Sequence, residues 1–233
     1  MTVHFPETKG NIVSILSGGL DSTIMTYALV KKYGRDRVYA LSFYYGQKQH
    51  VELERARATC KHLTIRHKVL DLSVLGDIVK EVSANIQGSK LDTPTITQVL
   101  GDPQPKTYVP FRNMILCSVA FSFAESISAT HIFSGLQATD QYNYWDTTQS
   151  FVNSVNKVAS HNRTHTIELV TPFSNMSKFE ELIFSKDLDV RYELTLTCYN
   201  PDSQGRSCGI CPSCAERIKA FEKANMIDKI EYV

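Results

Sequence analysis

The chain has 233 residues, 42% of them apolar and 21% charged, with a formal net charge of +1. This is enough for an α/β domain with a sizeable core, and the near-neutral balance excludes a globally basic nucleic-acid binder. The longest apolar run, near Met114 to Ala124, is too short to span a bilayer, and Met1 to Gly10 has no basic, apolar leader; a cytoplasmic protein with no membrane partner is expected.

In chain order, Ile12–Leu16 reads as a strand, followed by a Gly-Gly turn and a helix over Ser22–Tyr33 that Gly34 stops. Val38–Phe43 is a second strand, Val51 to His62 a helix and His67–Leu70 a third strand. Asp71 to Lys106, with Pro94, Pro103 and Pro105, is irregular and reads as a surface excursion or lid. Asn113–Ser128 is helical, His131–Ser134 a strand, Thr147–Ser160 helical and Ile167–Val170 a strand. Ser177 with Glu180 forms a capping box opening a helix to about Leu188, and a short helix starts near Ala215. Strands alternating with helices predict a Rossmann-like, doubly wound parallel sheet with its ligand site at the carboxyl ends of the strands. The last forty or so residues differ in character, so a nucleotide-binding domain over 1–190 and a small metal-binding region over 191–233 are expected, packed as one unit.

Ser17-Gly18-Gly19-Leu20-Asp21-Ser22-Thr23 lies where a strand hands over to a helix. Glycines let main-chain N–H groups approach an anion, the serines add hydroxyl donors, and the helix start adds unpaired N–H groups. No GxxxxGK[ST] occurs, which argues against γ-phosphate transfer and for a different grip on ATP. The expected ATP-binding residues are Leu16, Ser17, Gly18, Gly19, Leu20, Asp21, Ser22 and Thr23.

Cys198, Cys208, Cys211 and Cys214 are spaced C-x9-C-x2-C-x2-C, with Gly209 and Pro212 supplying turns. Four thiolates suit a closed, tetrahedral, structural zinc site, whereas buried free thiols would not explain three Cys within seven residues. Cys60 and Cys117, on predicted helices, read as small buried hydrophobes.

The loop, with Tyr45-Gly46-Gln47, Tyr108-Val109-Pro110-Phe111-Arg112-Asn113 and Cys198-Tyr199-Asn200 leading to the cysteines, resembles the 7-cyano-7-deazaguanine synthase family of PP-loop N-type ATP pyrophosphatases. The resemblance runs from about Asn11 to Phe221. It implies ATP-dependent activation of 7-carboxy-7-deazaguanine as an adenylate, displacement by ammonia to an amide, and a second activation that dehydrates the amide to the nitrile. It also implies ATP, Mg²⁺ and Zn²⁺ as cofactors and a homodimer whose zinc region lies near the subunit contact. No glutaminase signature accompanies the loop, so ammonia is expected from solution, and no direct nucleic-acid partner is expected.

On that reading Ser17, Gly18, Gly19 and Ser22 cradle the departing pyrophosphate. Asp21 is the candidate Mg²⁺ ligand, with a plain helix-start carboxylate as the alternative. Ser17, Asp21, Ser22 and Arg112 form the candidate catalytic set. Arg112 would pair with a carboxylate or phosphate through its planar fork, or form a surface ion pair. Tyr45 and Gln47 would contact a ring, though Tyr45 equally suits a core. Asn113 would bond the base or cap the next helix, and Lys178 would reach a phosphate or stay solvated. Tyr108, Asp140, Tyr144 and Asp146 complete the candidate substrate set.

Two departures from the family pattern stand out. After Tyr45-Gly46-Gln47 the family reads a basic residue then His, whereas here Lys48-Gln49-His50 displaces the His by one position. Tyr144-Trp145-Asp146-Thr147-Thr148 replaces Tyr-Pro-Asp-x-Arg. The second opens the alternative of a relative that stops at the amide or serves DNA modification. Two competing readings are a tRNA thiolase, which needs reactive cysteines, and a zinc-ribbon binding module without catalysis, to which Arg206, Arg217 and Lys219 lend positive charge.

Overall fold

β1 (Asn11–Ile15) is apolar on both faces because both are covered: Ile12 points into one buried cluster and Val13 into another, each fully shielded from solvent. The same alternation divides β2 (Val38–Tyr44), where Leu41 and Phe43 join Val13 while Val38 joins Ile12. Burying an Ile or Val completely is worth roughly 1.5–3 kcal/mol, so these faces fix the register. In the computed structural model, which describes residues 3–99, 102, 104–137 and 144–233, β1 and β2 join β3 (Arg66–Asp71), β4 (Ala129–Phe133) and β5 (Glu168–Val170). The sheet is wholly parallel, in the order β3-β2-β1-β4-β5.

Helices cover both faces. α1 (Leu20–Tyr33) and α2 (Glu52–Leu63) follow the first two strands. α3 (Ser73–Val79) and the single turn α4 (Ile96–Val99) lie within the segment expected to be irregular. α5 (Arg112–Ser126) leads into β4, and α6 (Gln149–Ala159) into β5. α7 (Lys178–Phe184) and α8 (Pro212–Lys223) close the chain. The Val13 cluster gathers residues of α3, α5 and α6, and the Ile12 cluster residues of α1, α7 and α8. The order reverses between β1 and β4, so the loops after these two strands open a crevice at their carboxyl ends, the position that favours a ligand in open α/β sheets.

The element boundaries correct the expectations locally. α1 begins at Leu20 rather than Ser22, capped by Gly19 with no side-chain hydrogen bond. The helix expected over Thr147–Ser160 is a 3₁₀ turn, Trp145–Thr147, then α6, whose N-cap Thr148 accepts the Phe151 N–H. α7 ends at Phe184 and continues as a 3₁₀ turn to Leu188. α8 starts three residues before Ala215 because Pro212, with no N–H to satisfy, opens its first turn. Within Asp71 to Lys106, Ser83, Ala84, Asn85 and Ile86 are buried: Ala84 N–H bonds Lys106 C=O (2.7 Å), Asn85 Nδ2 bonds Thr107 C=O (2.8 Å) and Gln87 N–H bonds Gly46 C=O (2.7 Å). That stretch backs the Tyr45-Gly46-Gln47 turn and is no loose excursion.

Candidate active site

A cleft of about 250 Å³ lies at the β1/β4 switch point. Its floor is the loop after β1. Gly18 holds φ +95°, and a Cβ there would lie 2.0 Å from the Glu52 carbonyl oxygen, so on this backbone the position suits glycine alone. Ser22 Oγ is 3.0 Å from Ser17 Oγ and 3.2 Å from Ser17 N, and Gly19 N–H donates to Ser17 Oγ at 3.1 Å. The loop is thus pre-organised by its own hydroxyls. With no side chain capping α1, its N-terminus offers donors to an anion. The loop after β4 approaches just as closely, since a Cβ on Gly135 would lie 3.2 Å from Ser22 N.

Asp21 and Lys178 meet across the cleft at 3.3 Å, and Lys178 also reaches Gln137 Oε1 (2.9 Å) and Glu216 (3.6 Å). Lys178 is therefore a bridging cation at the start of α7, placed there by the Ser177–Glu180 capping box, in which Ser177 N–H donates to Glu180 at 2.8 Å. Behind them Glu181, fully buried, accepts from Gln137 and lies against Asp21; burial and that second carboxyl drive it well above the usual carboxylate range. Glu181 carries no motif signal, because only the packing of α7 against α1 brings it to Asp21. The Asp21 carboxylate faces the cleft with Oδ1 turned toward Glu181, and its oxygens are of the type that a hard cation such as Mg²⁺ prefers.

The opposite wall comes from α5 and the start of α2. Arg112 lines the cleft; burial opposes its charge, but Tyr45 and Asp146 beside it outweigh that and hold it protonated. Tyr45 lines the cleft too, its hydroxyl pushed up by burial. Asn113 does not cap α5, whose N-cap is Phe111; it donates twice to Asp146, from its backbone N–H to the carboxylate (3.2 Å) and from its side-chain amide to the C=O (3.1 Å). Asp146, 2% exposed and raised by burial, therefore anchors the first turn of α5 that carries Arg112.

Several expected substrate residues stand behind the wall. Gln47 is wholly buried: it accepts from Tyr45 N–H (2.8 Å) and donates to Phe43 C=O (3.0 Å) and to Glu52 (3.3 Å). Tyr108 is spent on Trp145 Nε1 (2.7 Å) and Phe111 N–H (3.1 Å), and Tyr144 on Thr107 (2.6 Å). These residues, like Asp146, support the site rather than line the cleft among the described residues. Asp140 lies outside the described residues. Among the lining residues that the sequence reading did not select are Gln49, whose Oε1 is buried without a partner, and Glu52, whose carboxyl burial pushes up to about 8 against the Gln47 hydrogen bond and the Arg112 charge.

The C-terminal region is the roof. Leu196 N–H bonds Gly18 C=O at 2.9 Å, and Thr197, Tyr199, Ser213 and Glu216 line the cleft. Just outside, the sulfurs of Cys198, Cys208, Cys211 and Cys214 lie within 4.8 Å of one another. Tetrahedral bonds of about 2.3 Å to one zinc ion would set sulfurs about 3.8 Å apart, so the cluster fits a single ion after slight contraction. Cys198 Sγ accepts the N–H groups of Asn200 (3.3 Å) and Cys208 (3.2 Å), and Cys208 Sγ that of Cys211 (3.4 Å), which suits thiolates. Cys60 and Cys117 are buried, their thiols pushed up to about 12 by burial, as inert core thiols. Arg217 is wholly buried in a two-pronged bond to Asp228 (2.7 and 2.9 Å), and Arg206, partly exposed, pairs with Asp202.

The sheet order and a glycine loop gripped at the switch point define a PP-loop-type, ATP-utilising α/β protein. Residues 11–225 match the family described as "Queuosine biosynthesis protein QueC". The chain belongs to that family, a family of ATP-dependent ligase-type enzymes. It is 36% identical over 222 residues to the 7-cyano-7-deazaguanine synthase of Pseudoalteromonas atlantica, spanning 95% of this chain and 98% of the relative. It is 37% identical over 221 residues to that of Marinomonas sp. (94% and 97%). Two solved structures share the fold alone: the U34-tRNA thiolase NcsA of Methanococcus maripaludis with its [4Fe-4S] cluster (TM-score 0.53, 16% identity, 94% of this chain and 66% of that one) and the NMN synthetase of Francisella tularensis (TM-score 0.51, 17% identity, 94% and 78%).

Proposed function

We propose that this chain converts 7-carboxy-7-deazaguanine and ammonia to 7-cyano-7-deazaguanine at the expense of ATP, through an adenylated carboxylate and an amide. The observation that carries the reading is the cleft in which the loop after β1, Arg112 and Lys178 converge, in a chain that matches synthases over 95% of its length. The loop N–H groups and hydroxyls of Ser17, Gly18, Gly19 and Ser22 receive the departing pyrophosphate, where charge develops. Arg112 orients the carboxylate through its fork. Asp21 would hold Mg²⁺, which neutralises phosphate charge when bound. The four cysteines would hold Zn²⁺; a multi-iron cluster, as named for the thiolase, interposes a metal–sulfide core and needs sulfurs more widely spaced than these.

The nitrile rather than the amide is favoured because the departure at Trp145 falls outside the cleft: its indole packs on Phe111 and Phe151 and bonds Tyr108. No helix among the described residues is long and apolar enough to cross a membrane, which accords with a cytoplasmic enzyme. Ammonia from solution and a homodimer complete the proposal, the latter checked by sedimentation. Incubation of the purified protein with the deazaguanine acid, ATP, Mg²⁺ and ammonium, followed by mass analysis, is expected to give AMP and the nitrile. Accumulation of the amide alone, or no AMP, rejects the reading.

A further inference from the structure

Amide and nitrile formation strip every hydrogen from one ammonia molecule, so the site needs a proton acceptor beside the activated carbon. Lys178 is cationic and Asp21 is committed to it on the phosphate side. Arg112 and Glu52 both line the cleft, and the charge of Arg112 reaches the Glu52 carboxyl. Glu52 is 8% exposed and sits at the first position of α2, its backbone pinned beneath Gly18. Its carboxyl is aimed by Gln47, which has no contact with the cleft and spends its other bonds on Phe43 and Tyr45. A buried amide held in place by Phe43 and Tyr45 thus fixes the direction of one carboxylate on the cleft wall, which is what a reacting group needs.

We propose that Glu52 is the catalytic base that receives the protons of the ammonia nitrogen. The assignment rests on the function proposed above. In the first half, the nitrogen lone pair forms the C–N bond to the adenylated carbonyl, one N–H proton passes to Glu52, and the C–O bond to AMP breaks with its electron pair leaving on AMP. In the second, the amide oxygen displaces pyrophosphate from a second ATP while one N–H proton passes to Glu52. The remaining N–H proton then follows as the C–O bond to the second AMP breaks, its electron pair leaving on AMP, and the N–H electron pair completes C≡N. Three protons leave in all, each released from Glu52 to solvent before the next, and nothing is oxidised or reduced. The groups that face Glu52 are Arg112, Tyr45 and Gln47, and the balance of burial against Arg112 and Gln47 leaves it poised near neutral pH, where a group can both take and release a proton.

Glu52→Gln keeps the shape and the partner. It is expected to retain carboxylate-dependent ATP–pyrophosphate exchange and to form hydroxamate with hydroxylamine, while amide formation from ammonia falls by about 100-fold or more. In the wild type, amide formation at fixed free ammonia should rise with pH toward about 8, with exchange unchanged. Should E52Q fail to fold, Glu52→Asp, which keeps a carboxylate, is expected to retain part of the ammonia-dependent rate and the same pH limb. Loss of exchange in a folded E52Q, or a full rate with ammonia, overturns the assignment. A wild-type chain that shows no exchange with the deazaguanine acid rejects the function itself, which is a separate failure.

Discussion

At the scale of the residue, the loop is legible from sequence and its neighbours are not. Ser17 to Thr23 declares itself because glycines, hydroxyls and a helix start are local features. Gly18 shows how tightly it is built: Gly18→Ala would press a methyl group against the Glu52 carbonyl at a φ that L-residues avoid. We expect the variant to fold but to lose ~100-fold or more in ATP–pyrophosphate exchange, since an ångström of misplacement costs that much. A folded variant with normal exchange would show that the loop need not keep this path. Gln47 and Glu52 tell the opposite story. Motif matching selects Gln47, yet folding turns its amide inward and leaves Glu52, five residues on, at the cleft. The alternation that decides which of them faces the site belongs to a turn pinned by Gln87 and Asn85 from a distant segment, so no local signal marks it.

At the scale of the element, strands and helices were legible because both faces of the sheet are covered and apolar period follows burial. Their ends were less so: Pro212 and Thr148 act through N-terminal geometry rather than hydrophobic period. The cysteine spacing announced the four-sulfur cluster, but not that Ser213 and Glu216, flanking Cys214 on α8, would wall the cleft. Removing metal with a strong chelator is therefore expected to lower the melting temperature by about 10 °C or more and to weaken ATP binding in parallel. Unchanged values for both would deny the cluster a structural role. Arg217 braces the same element through Asp228 and Thr195. Arg217→Ala should cost about 3–5 kcal/mol, because it strands Asp228 at a largely buried position, and calorimetry reads this directly.

At the scale of the whole molecule, the buried acids set how stability responds to pH. Glu52, Asp146 and Glu181 are all raised above their usual values, chiefly by burial. A group whose folded pKa is raised contributes stability while protonated and loses it as pH climbs through the folded value. For Glu52 that window runs from the ordinary carboxylate range to about 8, so the ligand-free protein should melt at lower temperature as pH rises across it. E52Q should flatten the trend; equal slopes in variant and wild type would place the effect elsewhere. The surface acids Glu7, Glu125 and Asp202, lowered by their hydrogen bonds, work in the other direction and withdraw stability only as pH falls below the carboxylate range.

One bond, from Leu196 N–H to Gly18 C=O, joins the nucleotide loop to the strand of chain that runs on to Cys198. An enzyme that activates its substrate twice wastes fuel if it splits ATP while incompletely assembled. With the loop tied to the cysteine-bearing segment, loss of metal from the cysteines is expected to slacken the grip on nucleotide, so that a stripped chain would fall silent rather than idle.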